Sequence, residues 1–283
     1  MFIPICLLCG WVTTVFAEDQ ISPDRVVVYK QTEQGDLSLH LFYPEDFDIQ
    51  EGEPRPTIVF FFGGGWISGT IRQFYPQSRD LSARGMIAVC ADYRVSKRHG
   101  TDPDACVKDA KSTMRWLRIH SDELGIDPDR IVASGGSAGG HIACATAVLE
   151  GFDEPGEDPR VSCRPNALVL FNPVIDNGPE GYGYEWVKEY WKNFSPIENL
   201  KGNLPPAMVL QGTEDHLIPV ETARKFQQRY QNTGAECELL LYEGQPHGFF
   251  NKNKYSETLN QMKRFLIQLG YLDDDSVAAD SDW

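Results

Sequence analysis

Three side chains in this sequence are of the types that break acyl bonds in concert: Ser137, Asp215 and His247. A serine hydroxyl is a weak nucleophile until a base takes its proton. A histidine, with an unperturbed pKa of about 6.5, can take that proton and return it near neutral pH. An aspartate can fix the imidazole tautomer and stabilise the imidazolium formed during turnover. Ser137 lies within Gly135-Gly136-Ser137-Ala138-Gly139-Gly140, which satisfies G-x-S-x-G and adds a further glycine. Small residues are needed on both sides of such a serine, because the chain turns sharply from strand to helix there. A phosphate cradle is the other reading of the stretch. A Walker-type loop would place a Lys before the Ser or Thr, and none is present.

The acid and the base each have rivals. Glu214 stands beside Asp215, and His40, His99, His120, His141 and His216 compete with His247. Only His247 follows the last strand-like run in a glycine-bounded loop, Glu243-Gly244-Gln245-Pro246-His247-Gly248. The chain order Ser, Asp, His is that of the hydrolases built on a strand-turn-helix elbow. A tetrahedral intermediate also needs donors for its oxyanion. The N–H of Ala138 is one candidate, and Gly63-Gly64-Gly65 can supply others, since glycine lets the backbone approach closely.

These groups must sit at strand ends. Two strand-like runs, Val26–Tyr29 and Leu37–Tyr43, flank the turn Gln34-Gly35-Asp36. Thr57–Phe62 is continuously apolar, as expected of a strand covered on both faces, and it discharges into the glycine run. Further strands are expected at Met86–Ala91, Arg130–Ser134, Ala167–Phe171, Ala207–Gln211 and Cys237–Tyr242. Helical patterns lie between or after them: Ser78–Arg84, Asp104–Ser121, His141–Leu149, Val220–Gln231 and Glu257–Leu269. Alternating strands and helices imply βαβ units and a mostly parallel sheet, with ligands at the carboxyl ends of the strands. Residues 172–206 break the rhythm with an aromatic-rich insertion after the sixth strand. Trp66, His141, Tyr184, Trp186 and Trp191 are candidates to line a substrate pocket there.

The chain has 283 residues and a net charge of −15, which argues against nucleic acid and anionic membrane surfaces as partners. Phe2–Phe16 is nearly all apolar and ends in Val15-Phe16-Ala17, small at the −3 and −1 positions. Residues 1–17 therefore read as a signal peptide, with an uncleaved anchor as the alternative. Residues 18–272 read as one domain, and 273–283 as an acidic, disordered tail. Removing the leader leaves five of seven cysteines; Cys90 and Cys144 read as core residues, while Cys106, Cys163 and Cys237 could include one disulfide. No metal-ligand spacing is present.

Phe62-Gly63-Gly64-Gly65-Trp66, Asp92-Tyr93-Arg94, the serine turn through His141, Gly212-Thr213-Glu214-Asp215 and Gly244-Gln245-Pro246-His247-Gly248-Phe249 together resemble an α/β-hydrolase of the esterase/lipase group. The likeness lies near the hormone-sensitive-lipase-like and carbohydrate-esterase/feruloyl-esterase-like branches and runs from Val26 to Leu269. It implies an α/β-hydrolase fold with an eight-stranded, mostly parallel sheet and no large N-terminal cap. It implies Ser137, Asp215 and His247 as the triad, Gly64, Gly65 and Ala138 as oxyanion donors, and no cofactor or metal. Phe62 departs from the family pattern, which usually places His before the glycines. The expected activity is a secreted or periplasmic serine carboxylesterase for short acyl esters, with acetyl or feruloyl groups on polysaccharides as the substrate class. No stable membrane insertion is expected once the leader is removed. Amide hydrolysis, as in exopeptidases or formamidases, and a non-catalytic binding protein are the competing readings.

Overall fold

Apolar runs with no polar alternation are stable only where both faces of a strand are covered, and Ile58–Phe61 lies in such a place, fully buried. The computed structural model describes residues 21–45 and 47–273. Eight strands form one sheet: β1 (Arg25–Thr32), β2 (Gly35–Phe42), β3 (Arg55–Phe61), β4 (Ile87–Ala91), β5 (Ile126–Gly136), β6 (Ala167–Phe171), β7 (Ala207–Gly212) and β8 (Cys237–Tyr242). Their order is β1-β2-β4-β3-β5-β6-β7-β8. β1 and β2 form an antiparallel hairpin and β2 pairs antiparallel to β4; every pairing from β4 to β8 is parallel. The edge strand β1 alternates exposed and covered residues, as half-buried strands do.

Five longer helices cover the sheet: α1 (Tyr75–Ser82), α2 (Pro103–Ile119), α3 (Ala138–Val148), α4 (Val220–Gln231) and α5 (Tyr255–Gln268). Met114 and Leu117 of α2, Ile142 of α3 and Phe226 of α4 share one core with Val59, Phe61 and Val89. Leu81 of α1 and Met262 and Phe265 of α5 share the other, with Ile58, Phe60 and Ala88. Strand residues alternate between the two cores, so the architecture is three layers, α/β/α. α3 is buried around its whole circumference, which is why its sequence, Ala-Gly-Gly-His-Ile-Ala-Cys-Ala-Thr-Ala-Val, lacks a polar face.

The expected sheet is present, and the differences lie at element ends. The first expected helix is preceded by a 3₁₀ turn, Ile71–Phe74, capped by Thr70, and α1 starts early because Pro76 fits its first turn. β5 begins at Ile126, four residues before the expected strand start at Arg130. The helix after Ser137 starts at Ala138 rather than at His141. Residues 172–206 follow β6 as expected, with only single helical turns at Tyr184–Val187 and Trp191–Phe194 and a 3₁₀ turn at Pro196–Glu198. Cys90, Cys106, Cys144, Cys163 and Cys237 are all free thiols, so the disulfide considered among Cys106, Cys163 and Cys237 is not formed. Residues 1–17, expected to form a signal peptide, and residues 274–283 of the expected tail lie outside the described residues. Among the described residues, no helix is long and apolar enough to cross a membrane.

Candidate active site

Ser137 occupies the junction of β5 and α3 with φ 55° and ψ −119°. That conformation costs a non-glycine residue on the order of 1–3 kcal/mol, so the surroundings must enforce it. They do so by close packing. A Cβ at Gly139 would lie 2.1 Å from the Phe61 carbonyl oxygen, and one at Gly135 would lie 2.5 Å from the Gly139 backbone. A Cβ at Gly136 would meet the Phe250 ring at 2.4 Å. The Ser137 N–H donates to the Phe171 carbonyl (2.9 Å), and its own carbonyl accepts from His141 (3.0 Å) and Val174 (3.1 Å). The serine is thus presented at the carboxyl end of the central strand.

The last two parallel strands, β7 and β8, deliver the partners. Asp215 follows β7, is 4% exposed, and its Oδ1 accepts the Leu217 and Ile218 N–H groups, each at 2.9 Å. Its Oδ2 lies 2.7 Å from His247 Nδ1 and also accepts Gln211 Nε2 at 3.1 Å. Burial alone would raise this carboxyl; the bonds from His247 and the two backbone amides outweigh it and hold the pKa below the ordinary carboxylate value. An ionised carboxylate only accepts, so Nδ1 carries the proton and Nε2 keeps its lone pair. Nε2 lies 2.8 Å from Ser137 Oγ. The structure therefore brings the three expected residues into one hydrogen-bonded chain.

The rivals are placed elsewhere. Glu214 is exposed beside the buried Asp215. His216 is also exposed, His99 accepts from the Val95 N–H, and His120 stacks on Trp116. His40 bonds Tyr75.

The glycine run lies directly against the serine: a Cβ on Gly63 would be 2.8 Å from the Gly136 carbonyl oxygen and 3.4 Å from Ser137 Cβ. Gly64 and Gly65 adopt φ +135° and +64°, which explains glycine at both positions. The Gly64 carbonyl accepts from Ile67 and Ser68, each at 3.1 Å. The Gly63 N–H is taken by Gln73 Oε1 at 2.6 Å. Among the described residues, the N–H groups of Gly64 and Gly65 find no protein acceptor. The Ala138 N–H, in the first turn of α3, is likewise unpaired. Phe62 is buried and stacks on Tyr93 with ring centroids 4.1 Å apart, so a ring packs where the family pattern has an imidazole. Tyr93 is held in the Asp92-Tyr93-Arg94 segment by ion pairs of Arg94 with buried Asp109 (2.7 Å) and of Arg98 with Asp92 (2.5 Å).

The pocket candidates divide. Trp66 is 2% exposed and packs edge-on against His141, Trp186 and Phe194. His141 is a correction: it is fully buried in that aromatic packing, its Nε2 donates to the Phe194 carbonyl (3.0 Å), and it lines no pocket. Tyr184 and Trp191, both half-buried, pack against each other with ring centroids 6.4 Å apart. Trp186 lines a cavity, with Gly65, Trp66, Ile67 and Pro103, of about 250 Å³. Tyr182, which the sequence did not single out, lines another of about 330 Å³ beside the Asp215 loop. A Cβ on Gly65 would be 2.5 Å from its hydroxyl oxygen. Asn172 is a further addition. Its Nδ2 lies 3.4 Å from His247 Nε2, and its Oδ1 accepts the Gly248 N–H at 3.2 Å. Its φ of 35°, in a region Asn tolerates, had no sequence signal beyond its place after β6.

Residues 58–251 match the family described as alpha/beta hydrolase fold. An esterase 2 of Thermogutta terrifontis, solved with propionate bound, is 41% identical, with a TM-score of 0.84, covering 90% of this chain and 97% of that one. The same esterase, phosphoramylated by tabun, is 43% identical with a TM-score of 0.84, covering 88% and 96%. A probable isoprenylcysteine alpha-carbonyl methylesterase of Arabidopsis thaliana is 30% identical over 247 residues, 79% of this chain and 50% of that protein. The chain spans about half the length of the curated relatives it matches. With β5, Ser137 and α3 inside the matched span and the sheet superimposing on a solved esterase, this chain belongs to the alpha/beta hydrolase fold family.

Proposed function

We propose that this chain is a serine carboxylesterase for short acyl esters. The observation that carries the reading is the chain from Asp215 through His247 to Ser137 Oγ, with bonds of 2.7 and 2.8 Å. In the first step Ser137 Oγ attacks the ester carbonyl and its proton passes to His247 Nε2. The carbonyl oxygen gains the negative charge and accepts the otherwise unpaired N–H groups of Gly64, Gly65 and Ala138. Collapse expels the alcohol, which takes the proton from Nε2 and leaves an acyl-serine. Water then repeats the sequence and releases the acid. Asp215 stays ionised throughout and stabilises the imidazolium.

A short acyl group is supported by the Thermogutta relative, which was solved with propionate bound. Acetyl or feruloyl groups on polysaccharides are the proposed natural esters, and export through residues 1–17 is the proposed route to them. Incubation with nitrophenyl esters of rising chain length tests the activity. Wild type should turn over the acetate and propionate, and Ser137→Ala should lose at least about 10³-fold in kcat. A fluorophosphonate probe should label wild type and leave Ser137→Ala unmarked. Equal hydrolysis by both proteins would overturn the assignment. Release of acetate from acetylated xylan, or of ferulate from a feruloyl ester, then chooses the natural class. A mature N-terminus at Glu18 would support export.

A further inference from the structure

The three glycines that precede Trp66 have no side chains with which to fix themselves, and glycine loses more conformational freedom on ordering than any other residue. Their N–H groups can serve an oxyanion only if the Phe62–Gly63 peptide, which launches the loop, has a fixed plane. Both polar ends of that peptide are held from outside the loop. The Tyr93 hydroxyl donates to the Phe62 carbonyl at 2.5 Å, and Gln73 Oε1 accepts the Gly63 N–H at 2.6 Å. We propose that Gln73 is a positioning residue of this enzyme: its side-chain carbonyl, working against the Tyr93 hydroxyl, sets the peptide that aims the Gly64 and Gly65 N–H groups at the space before Ser137. The proposal rests on the esterase reading above and extends it to a residue that touches neither substrate nor triad.

Gln73 is suited to this task because its own backbone is tied down. It lies in the 3₁₀ turn Ile71–Phe74, its N–H donates to the Thr70 carbonyl at 3.1 Å, and its neighbour Phe74 stacks on Phe60 (4.8 Å) and Phe250 (5.5 Å). Asn251, four positions after His247, donates to the Gln73 carbonyl at 3.5 Å and accepts Gln77 Nε2 at 2.7 Å. Phe250 also packs over Gly136, the residue before the serine. One turn therefore touches the base loop through Asn251, the elbow through Phe250, and the oxyanion loop through its own carboxamide. Tyr93 is in turn fixed by its stacking on Phe62 and by the ion pairs on either side of it in sequence. What the geometry asks for is a side-chain acceptor of this reach, and the Gln73 carboxamide oxygen supplies it.

The test compares Gln73→Leu, which keeps the bulk and loses the acceptor, with Gln73→Glu, which keeps an acceptor oxygen. Steady-state kinetics on nitrophenyl propionate should show kcat down about tenfold to a hundredfold for Gln73→Leu, with KM within about threefold. Gln73→Glu should recover most of the loss. Backbone hydrogen exchange, read at the Gly63 amide in the full-length proteins, should be faster in Gln73→Leu and near wild type in Gln73→Glu. Unchanged exchange at Gly63 in Gln73→Leu would overturn the proposal, and so would a Gln73→Glu enzyme as impaired as Gln73→Leu. Equal hydrolysis by wild type and Ser137→Ala would instead sink the esterase reading, and the exchange measurement would still decide the clamp.

Discussion

Two glycine-rich turns meet at the carboxyl end of this sheet, and they differ in what holds them besides close packing. In the elbow around Ser137, Gly135, Gly136 and Gly139 are dictated by what stands against them: the Gly139 backbone, the Phe250 ring and the Phe61 carbonyl, all within 2.5 Å of where a Cβ would be. In the turn from Gly63 to Gly65, a Cβ would also meet close neighbours, the Gly136 and Ser68 carbonyls and the Tyr182 hydroxyl, but the first peptide is in addition held by hydrogen bonds with Tyr93 and Gln73, each delivered by another segment of the chain. A turn fixed by packing tolerates no change of volume, because interiors are as dense as organic crystals. A turn fixed by hydrogen bonds can be loosened without unfolding anything. The turn at Ser137 rests on the first kind of support, and the turn at Gly63–Gly65 adds the second.

Substitution of one glycine in each turn tests that difference. Gly139→Ala should have the largest effect, because its Cβ would lie 2.1 Å from the Phe61 carbonyl oxygen and neither partner can move without shifting β3 or α3. Activity should fall by about 10⁴-fold, as when a triad member is removed, with a marked fall in Tm. Gly64→Ala meets the Ser68 carbonyl oxygen at 2.0 Å, and its φ of +135° is one that alanine rarely adopts, yet Ser68 belongs to the same surface loop, whose residues 67–70 are exposed or half-buried. The expected loss is about 10²–10³-fold in kcat, as for deletion of one oxyanion donor, with a smaller change in Tm than Gly139→Ala. Thermal scans and kinetics on the two variants check both. If Gly64→Ala lowered Tm more than Gly139→Ala, the contrast between the turns would be false.

The same contrast explains what could be read from the sequence. The elbow is a local affair: six consecutive residues state its sterics, and the strand and helix beside it show in their apolar periodicity. Asp215 and His247 were legible because each follows a strand of the same parallel sheet, whose ends converge. The supports of the oxyanion turn were not legible. Gln73 is ten positions from Gly63, in a turn with no hydrophobic period, and Tyr93 is thirty-one positions from Phe62. His141 was misread for a physical reason: one turn beyond a nucleophile, a histidine can face the pocket or the core, and only packing decides. Here Trp66 and Phe194 close around it.

His141 also extends the elbow's packing into a pH dependence. Burial pushes its imidazole down to about 4, partly offset by the bond to the Phe194 carbonyl. The unfolded chain protonates this group near the ordinary value of about 6.5, while the folded protein keeps it neutral to lower pH. Stability from this source is therefore complete above about pH 6.5 and is lost progressively as the pH falls towards about 4. At pH 5 the loss is about 2 kcal/mol. Urea unfolding at pH 7 and pH 5 should show this decline in wild type. His141→Gln, which retains a donor for Phe194, should show a decline smaller by about that amount. Identical pH dependence in the two proteins would mean that the histidine beneath the elbow is not held neutral by its packing.

Phe62 should give the smallest effect, and its smallness is what sharpens the contrast. Its ring is buried against Tyr93, with the Arg98 guanidinium 5.9 Å from the ring centre, so Phe62→Leu removes a stacked aromatic pair worth about 1 kcal/mol. The peptide that follows the ring is fixed through its carbonyl and through the Gly63 N–H, neither of which belongs to the Phe62 side chain. The packing and the aim of the loop should therefore separate. Phe62→Leu should lower Tm by a few degrees and leave kcat within about threefold of wild type, since a loss of about 1 kcal/mol shifts Tm by about 2–4 °C in a domain of this size. Such a result would place the control of the oxyanion turn in its two hydrogen bonds. A loss in kcat as large as that of Gly64→Ala would place it in the aromatic stack instead, and both turns would then be held by packing.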